Sequence, residues 1–91
     1  MNPHGVAHGA VAYALADTGM GAALYTMLVG SESCATIEVK IVYLASAREG
    51  ELVCDTCVIR KGSRVAVLES EILEGDRLVA KALGTYSILS R

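Results

Sequence analysis

GAVAYALADTGMGAALYTMLVG, running from Gly9 to Gly30, is the stretch that decides the fold. Nearly every position is apolar or small, with no polar face at helical spacing. It reads as one long helix, apolar on all sides and therefore buried. Ala, Leu and Met favour that state, while the interior glycines weaken it and permit close approach of another backbone. Asp17 is the only charged side chain between His8 and Glu32. A carboxylate so placed must be desolvated, at a cost of several kcal/mol, unless hydrogen bonds, a cation or water satisfy it. Folding has no need of such a group, so Asp17 is the first candidate for chemistry. The helix is predicted to start near His8 or Gly9, after a loop over residues 1–8, and to stop around Val29-Gly30.

Beyond residue 33 the period changes. Thr36-Ile37-Glu38-Val39-Lys40-Ile41-Val42-Tyr43 has apolar odd positions and polar first even ones, the mark of a half-buried strand. Arg48-Glu49-Gly50-Glu51 is a turn, and Leu52 to Arg60 a second strand. Lys61-Gly62-Ser63 is a hairpin-type turn, Arg64 to Leu73 a third strand, Glu74-Gly75-Asp76 another turn, and Leu78 to Ile88 a fourth strand. Connections this short predict antiparallel neighbours and a four-strand meander. One buried helix followed by such a sheet is an α+β fold, a single domain over residues 1–91 with the sheet curled around the helix.

Composition narrows the function. A chain of 91 residues buries only about 60–65% of the surface its unfolded form exposes, yet 53% of this one is hydrophobic. That excess predicts a homo-oligomer, dimer or tetramer, in which subunit contacts hide what one fold cannot. A net charge of −2 argues against a nucleic-acid partner. Asp17, Gly19 and Gly21 within the apolar run, and the strands after it, argue against a membrane span. MNPHG lacks the basic-then-apolar pattern of a secretory signal. With three cysteines, an odd number, a cytoplasmic and reducing setting fits. Cys54 and Cys57 have CxxC spacing, but in a strand residues three apart face opposite ways, and no second pair completes a zinc site.

Asn2-Pro3-His4-Gly5-Val6-Ala7-His8-Gly9-Ala10, leading to Leu15-Ala16-Asp17, resembles the hotdog-fold thioesterases, specifically the phenylacetate-degradation (PaaI-like) branch. That family shows an Asn, a Gly three residues on, His-Gly-Gly, and an Asp or Glu eight residues past the first Gly of that pair. Here Ala10 replaces the second Gly. The strand from Thr36 to Tyr43 and the turn Arg60-Lys61-Gly62-Ser63-Arg64 are also similar, so the resemblance covers nearly the whole chain. Family members carry a further segment, with a first strand, before the Asn loop where this chain begins. Either the protein is a short version or its N-terminal segment has been lost or mis-called, and a missing edge strand would expose unpaired backbone or require another chain to cover it.

The resemblance implies hydrolysis of an acyl-CoA, with no metal or redox cofactor. Asp17 would be general base on a water, or nucleophile at the thioester carbon. Gly9, at the expected helix start, would offer a free backbone N–H to the developing oxyanion. About two turns, roughly 12 Å of rise, separate Gly9 from Asp17. The family resolves this by facing the helix start of one subunit with the Asp of another. Asn2 matches the family's loop Asn, His8 the His beside the thioester, and Thr36 the position of a Ser or Thr near the water. Arg60, Lys61 and Arg64 cluster at a hairpin tip suited to CoA phosphates.

Each residue also has a structural alternative. Asp17 could be a backbone-capped structural acid, His8 a helix-start residue, Asn2 a turn residue and Thr36 a plain strand residue. The basic turn could be solvated surface. A non-catalytic CoA- or acyl-binding module and an enoyl-CoA hydratase are the competing functions.

Overall fold

The computed structural model describes residues 3–45 and 51–90, the first seven of these as backbone only. Helix α1 spans Pro3–Tyr25, and four strands follow: β1 (Ser33–Tyr43), β2 (Leu52–Lys61), β3 (Val65–Glu74) and β4 (Arg77–Leu89). Each strand lies within three residues of its expected limits. The expected turn at Arg48–Gly50 lies outside the described residues, while Gly75 makes the β3–β4 turn with φ of 66°. The architecture is α+β, one helix against a four-strand antiparallel sheet.

The helix differs from expectation at both ends. It starts at Pro3, several residues early, because proline suits a first helical turn, where its missing N–H costs nothing. It stops at Tyr25, short of Val29-Gly30. There the Thr26 hydroxyl bonds the Ala23 carbonyl at 2.7 Å, and Met27 N–H bonds Leu24 O at 2.8 Å, tightening the last turn.

The sheet order is β1-β4-β3-β2, so the expected four-strand meander is corrected. Only β2, β3 and β4 follow one another; β1 crosses to the far side of β4. The connection over residues 44–51 can do this: eight extended residues reach about 26 Å, against about 14 Å for three strand spacings. All pairings remain antiparallel, and β1 and β2 become the two edges.

Ala12, Ala16, Met20 and Leu24, one turn apart, form the helix stripe that packs on the sheet with Leu68, Ile72, Ala82 and Tyr86. Gly84 makes that approach possible, since a Cβ there would lie 2.8 Å from Met20 Sδ. The expectation of a helix buried on all sides does not hold within one chain. The sheet is a single layer and covers one face only, leaving Val11 49% and Tyr25 74% exposed.

Strands β1 and β2 each contain a bulge that sequence alternation does not reveal. Ile37 is the extra residue on β1 and Ile59 on β2, both turned outward. Two outward residues in succession then reset the phase. Thr36 thus faces the helix side, opposite Tyr86, while Ile37 is 58% exposed instead of buried. Cys54 packs against the core and Cys57 is exposed on the outer face.

Candidate active site

Asp17 follows Ala16 of the buried stripe, which turns its side chain toward the β1 edge of the sheet; it is half-buried rather than fully enclosed. Tyr86, on β4, donates its hydroxyl to Asp17 Oδ1 at 3.3 Å and lies 3.2 Å from the Asp17 main-chain oxygen. Thr36 donates to the same Oδ1 at 3.5 Å, the outer limit for such a bond. Both donors therefore converge on one carboxylate oxygen, and Oδ2 has no partner among the described residues. An ionised carboxylate can accept about four hydrogen bonds. Much of that capacity is left for a water or a substrate.

Burial first, and the charge of Asp17 second, push the Tyr86 phenol up to about 12. It is a donor, not an anion, throughout the neutral range. Tyr86 was not among the residues singled out from sequence. The available signal was its place on the inward phase of the last strand, where a buried phenol needs an acceptor.

Gly9 lies in the second turn of α1, not at its start, because the helix begins at Pro3. Only the first turn of a helix leaves its amides free, so in this conformation the Gly9 N–H belongs to the helical ladder. Asn2 and the His8 side chain lie outside the described residues.

The basic turn separates into two kinds of residue. Lys61 Nζ sits 3.1 Å from Glu32 Oε1, an ion pair with both side chains largely covered. The Val29 N–H, first, and Lys61, second, hold the Glu32 carboxyl below its ordinary value. Arg60 and Arg64 are exposed and form no ion pair among the described residues. Thr36, Tyr86, Ala66 and Lys61 are successive partners across the four strands. The basic turn therefore lies level with the acid but about 14 Å away, at the other edge. A groove of about 430 Å³ on the outer face, lined by Lys40, Val42, Leu44 and Leu83 among others, contains none of these residues.

A half-open acid with two hydroxyl donors on one oxygen can still accept a proton or a further hydrogen bond at the other. The chain belongs to the thioesterase superfamily, whose family model matches residues 4–81. A protein of Pseudomonas aeruginosa named as a candidate esterase, PA0474, is 32% identical over 96% of this chain and 66% of its own length. The chain spans between 46% and 66% of the length of the curated relatives it matches.

Solved structures agree on the fold. Thioesterase HI1161 of Haemophilus influenzae has a TM-score of 0.88 at 26% identity, covering 99% of this chain and 64% of that one. A thioesterase candidate of Ralstonia eutropha described as phenylacetic acid degradation-related has a TM-score of 0.79 at 25% identity, covering 96% and 66%. BH2602 of Bacillus halodurans, solved with CoA, has a TM-score of 0.84 at 25% identity, covering 90% and 55%. These relationships bear out the hotdog thioesterase resemblance. No helix among the described residues is long and apolar enough to cross a membrane.

Proposed function

We propose that this protein hydrolyses an acyl-CoA thioester to the free acid and CoA, using Asp17 as general base on water or as nucleophile. The observation that carries this reading is the Asp17 carboxylate itself, held through Oδ1 by Tyr86 and Thr36 with Oδ2 unpartnered. As base, Oδ2 takes a proton from a water that adds to the thioester carbon. The resulting tetrahedral oxyanion collapses and expels the CoA thiolate. As nucleophile, the same oxygen attacks the thioester carbon and expels the CoA thiolate, forming a mixed anhydride that water then opens to the free acid and the restored carboxylate. The CoA bound to BH2602 supports the CoA half of the substrate.

The working unit of this reading is a homo-oligomer with each site shared by two subunits. Its support is apolar surface that the single chain leaves open: Tyr13 one turn before Asp17, Val11 elsewhere on the helix and Ile37 on the outer side of the edge strand, all more than two-fifths exposed. Asn2 and His8 of the neighbouring helix start orient water and thioester. Gly9 polarises the carbonyl, on condition that residues 3–8 leave the helix as subunits assemble and free its N–H. Thr36 steadies the attacking water. Arg60 and Arg64 bind CoA phosphates from the free side of the turn, with Lys61 contributing charge only if Glu32 releases it. Three free thiols fit a cytoplasmic site of action.

A panel of aryl, short-chain and medium-chain acyl-CoA substrates, followed by release of free thiol, tests the reading. Asp17→Asn is expected to reduce turnover by about 1000-fold with the oligomer intact. Binding of CoA without thiol release by the unmodified protein points instead to a binding module. Consumption of a 2-enoyl-CoA with no thiol released points to a hydratase.

A further inference from the structure

The hydrolysis proposed above requires a carboxylate whose free oxygen points one way, and a half-exposed aspartate on a helix does not achieve that alone. Its side chain can occupy more than one staggered position. Tyr86 removes this freedom. It is 1% exposed and heads the fully buried side chains by size. Its hydroxyl reaches the main-chain oxygen and Oδ1 of the same residue, at 3.2 and 3.3 Å. A donor lodged between these two atoms ties the carboxylate to its own backbone and so sets its torsion.

The support for Tyr86 is itself rigid. The ring is held in the core between its strand partners Thr36 and Ala66, with Met20 of the helix seated beside it over Gly84. Among the described residues, the other ionisable groups facing the phenol are Asp17 from α1 and Cys34 from β1; β3 presents Ala66 and Leu68. The high pKa of the phenol keeps the proton on Tyr86, so the donation does not reverse near neutral pH.

We infer that Tyr86 is a positioning residue for thioester hydrolysis: its hydroxyl pins Oδ1 of Asp17 and leaves Oδ2 aimed at the attacking water or the thioester carbon. This rests on the acyl-CoA reading of the site. A merely structural tyrosine would use Asp17 only to satisfy its own buried hydroxyl, and its loss would change stability but not turnover.

Tyr86→Phe keeps the ring and removes the hydroxyl. Ser70→Ala is the matched control, since Ser70 is fully buried and shares a 2.8 Å hydroxyl bond with Thr56 away from Asp17. With the best acyl-CoA of the panel, Tyr86→Phe is expected to lower kcat by about 10–100-fold with KM changed less than about twofold. Ser70→Ala is expected to leave both constants unchanged. Should the phenylalanine variant not fold, a fluorinated tyrosine incorporated at position 86 retains the shape and ionises at lower pH. Its kcat must then fall on the alkaline side, where the unmodified protein shows no such loss. An inactive Asp17→Asn beside a fully active Tyr86→Phe, or an unchanged alkaline side in the fluorinated protein, overturns this inference and leaves the hydrolase reading standing. A fully active Asp17→Asn overturns the hydrolase reading itself.

Discussion

Strands β1 and β2 are the two edges of one sheet, each with a single bulge, and in both the bulge lets a polar side chain face the helix. On β1 that residue is Thr36, just before the extra Ile37; on β2 it is Lys61, two residues after Val58 and the extra Ile59 are passed. Lys61 meets Glu32, and the pair neutralises itself, with the Val29 N–H also bound. Thr36 meets Asp17, where two long hydroxyl bonds share one oxygen and the other is left over. The same backbone device yields a satisfied ion pair at one edge and an acid with spare capacity at the other. Satisfaction is what a structural pair needs, and spare capacity is what a reacting group needs.

The strongest way to break this contrast uses the bulge residues themselves, since Ile37 is 58% and Ile59 51% exposed. Ile37→Lys places a charge beside the proposed subunit seam. It is expected to dissociate the oligomer and lower thiol release by about 100-fold, with the circular dichroism of the folded chain retained. Ile59→Lys, at the opposite edge, is expected to leave both assembly and rate unchanged. Sedimentation velocity alongside the thiol assay reads both. Equal behaviour of the two variants would remove the distinction between the edges.

A smaller effect separates two glycines at the contact between helix and sheet, Gly84 on β4 and Gly19 on α1. A Cβ on Gly84 would lie 2.9 Å from Tyr86 Cε1 as well as against Met20, whereas one on Gly19 would lie 3.0 Å from Cys54 Sγ and Thr56 Oγ1 of β2. Gly84→Ala and Gly19→Ala are each expected to cost about 1–3 kcal/mol of stability. That corresponds to a fall in Tm of about 4–8 °C for each kcal/mol in a domain of this size. Only Gly84→Ala should also slow turnover, because it alone displaces the ring that holds Asp17. Thermal melts and kcat measured on both variants decide it.

The contrast also marks where sequence reading stops. The apolar helix, the four strands and the opposite facing of Cys54 and Cys57 follow from local period and composition. Asp17 stood out for the same reason, as a charge in an apolar run. A bulge is different, because one extra residue leaves the local pattern of Thr36-Ile37-Glu38-Val39 looking like unbroken alternation; only the partner strand reveals that Ile37 is unpaired. Strand order depends on long-range pairing, which short connections do not determine when one of them can span three strands. The helix start was obscured because Pro3, read as a loop signal, is equally at home in a first turn. Tyr86 and Glu32 escaped notice because their partners are 69 and 29 residues away in the chain.

The mildest test concerns the closed edge. Glu32 accepts from Val29 N–H at 3.0 Å and from Lys61 at 3.1 Å, and both hold its pKa below the ordinary 4.5. A carboxyl with a lower pKa folded than unfolded adds stability above the unfolded value and loses it as pH falls through the folded one. Glu32→Gln retains an acceptor for Val29 but cannot ionise. The unmodified protein should therefore be modestly the more stable at pH 7, with the gap narrowing as pH drops below 4.5 and closing once Glu32 is protonated in both states. Urea midpoints for the two proteins between pH 3 and 7 give the gap directly, and kcat for thiol release at pH 7 should be equal in both, the freed Lys61 acting on KM for acyl-CoA alone. A gap that stays constant with pH would mean that Glu32 acts there by packing rather than by charge. A fall in turnover would place the Lys61 edge inside the reacting site and erase the division between the two strands.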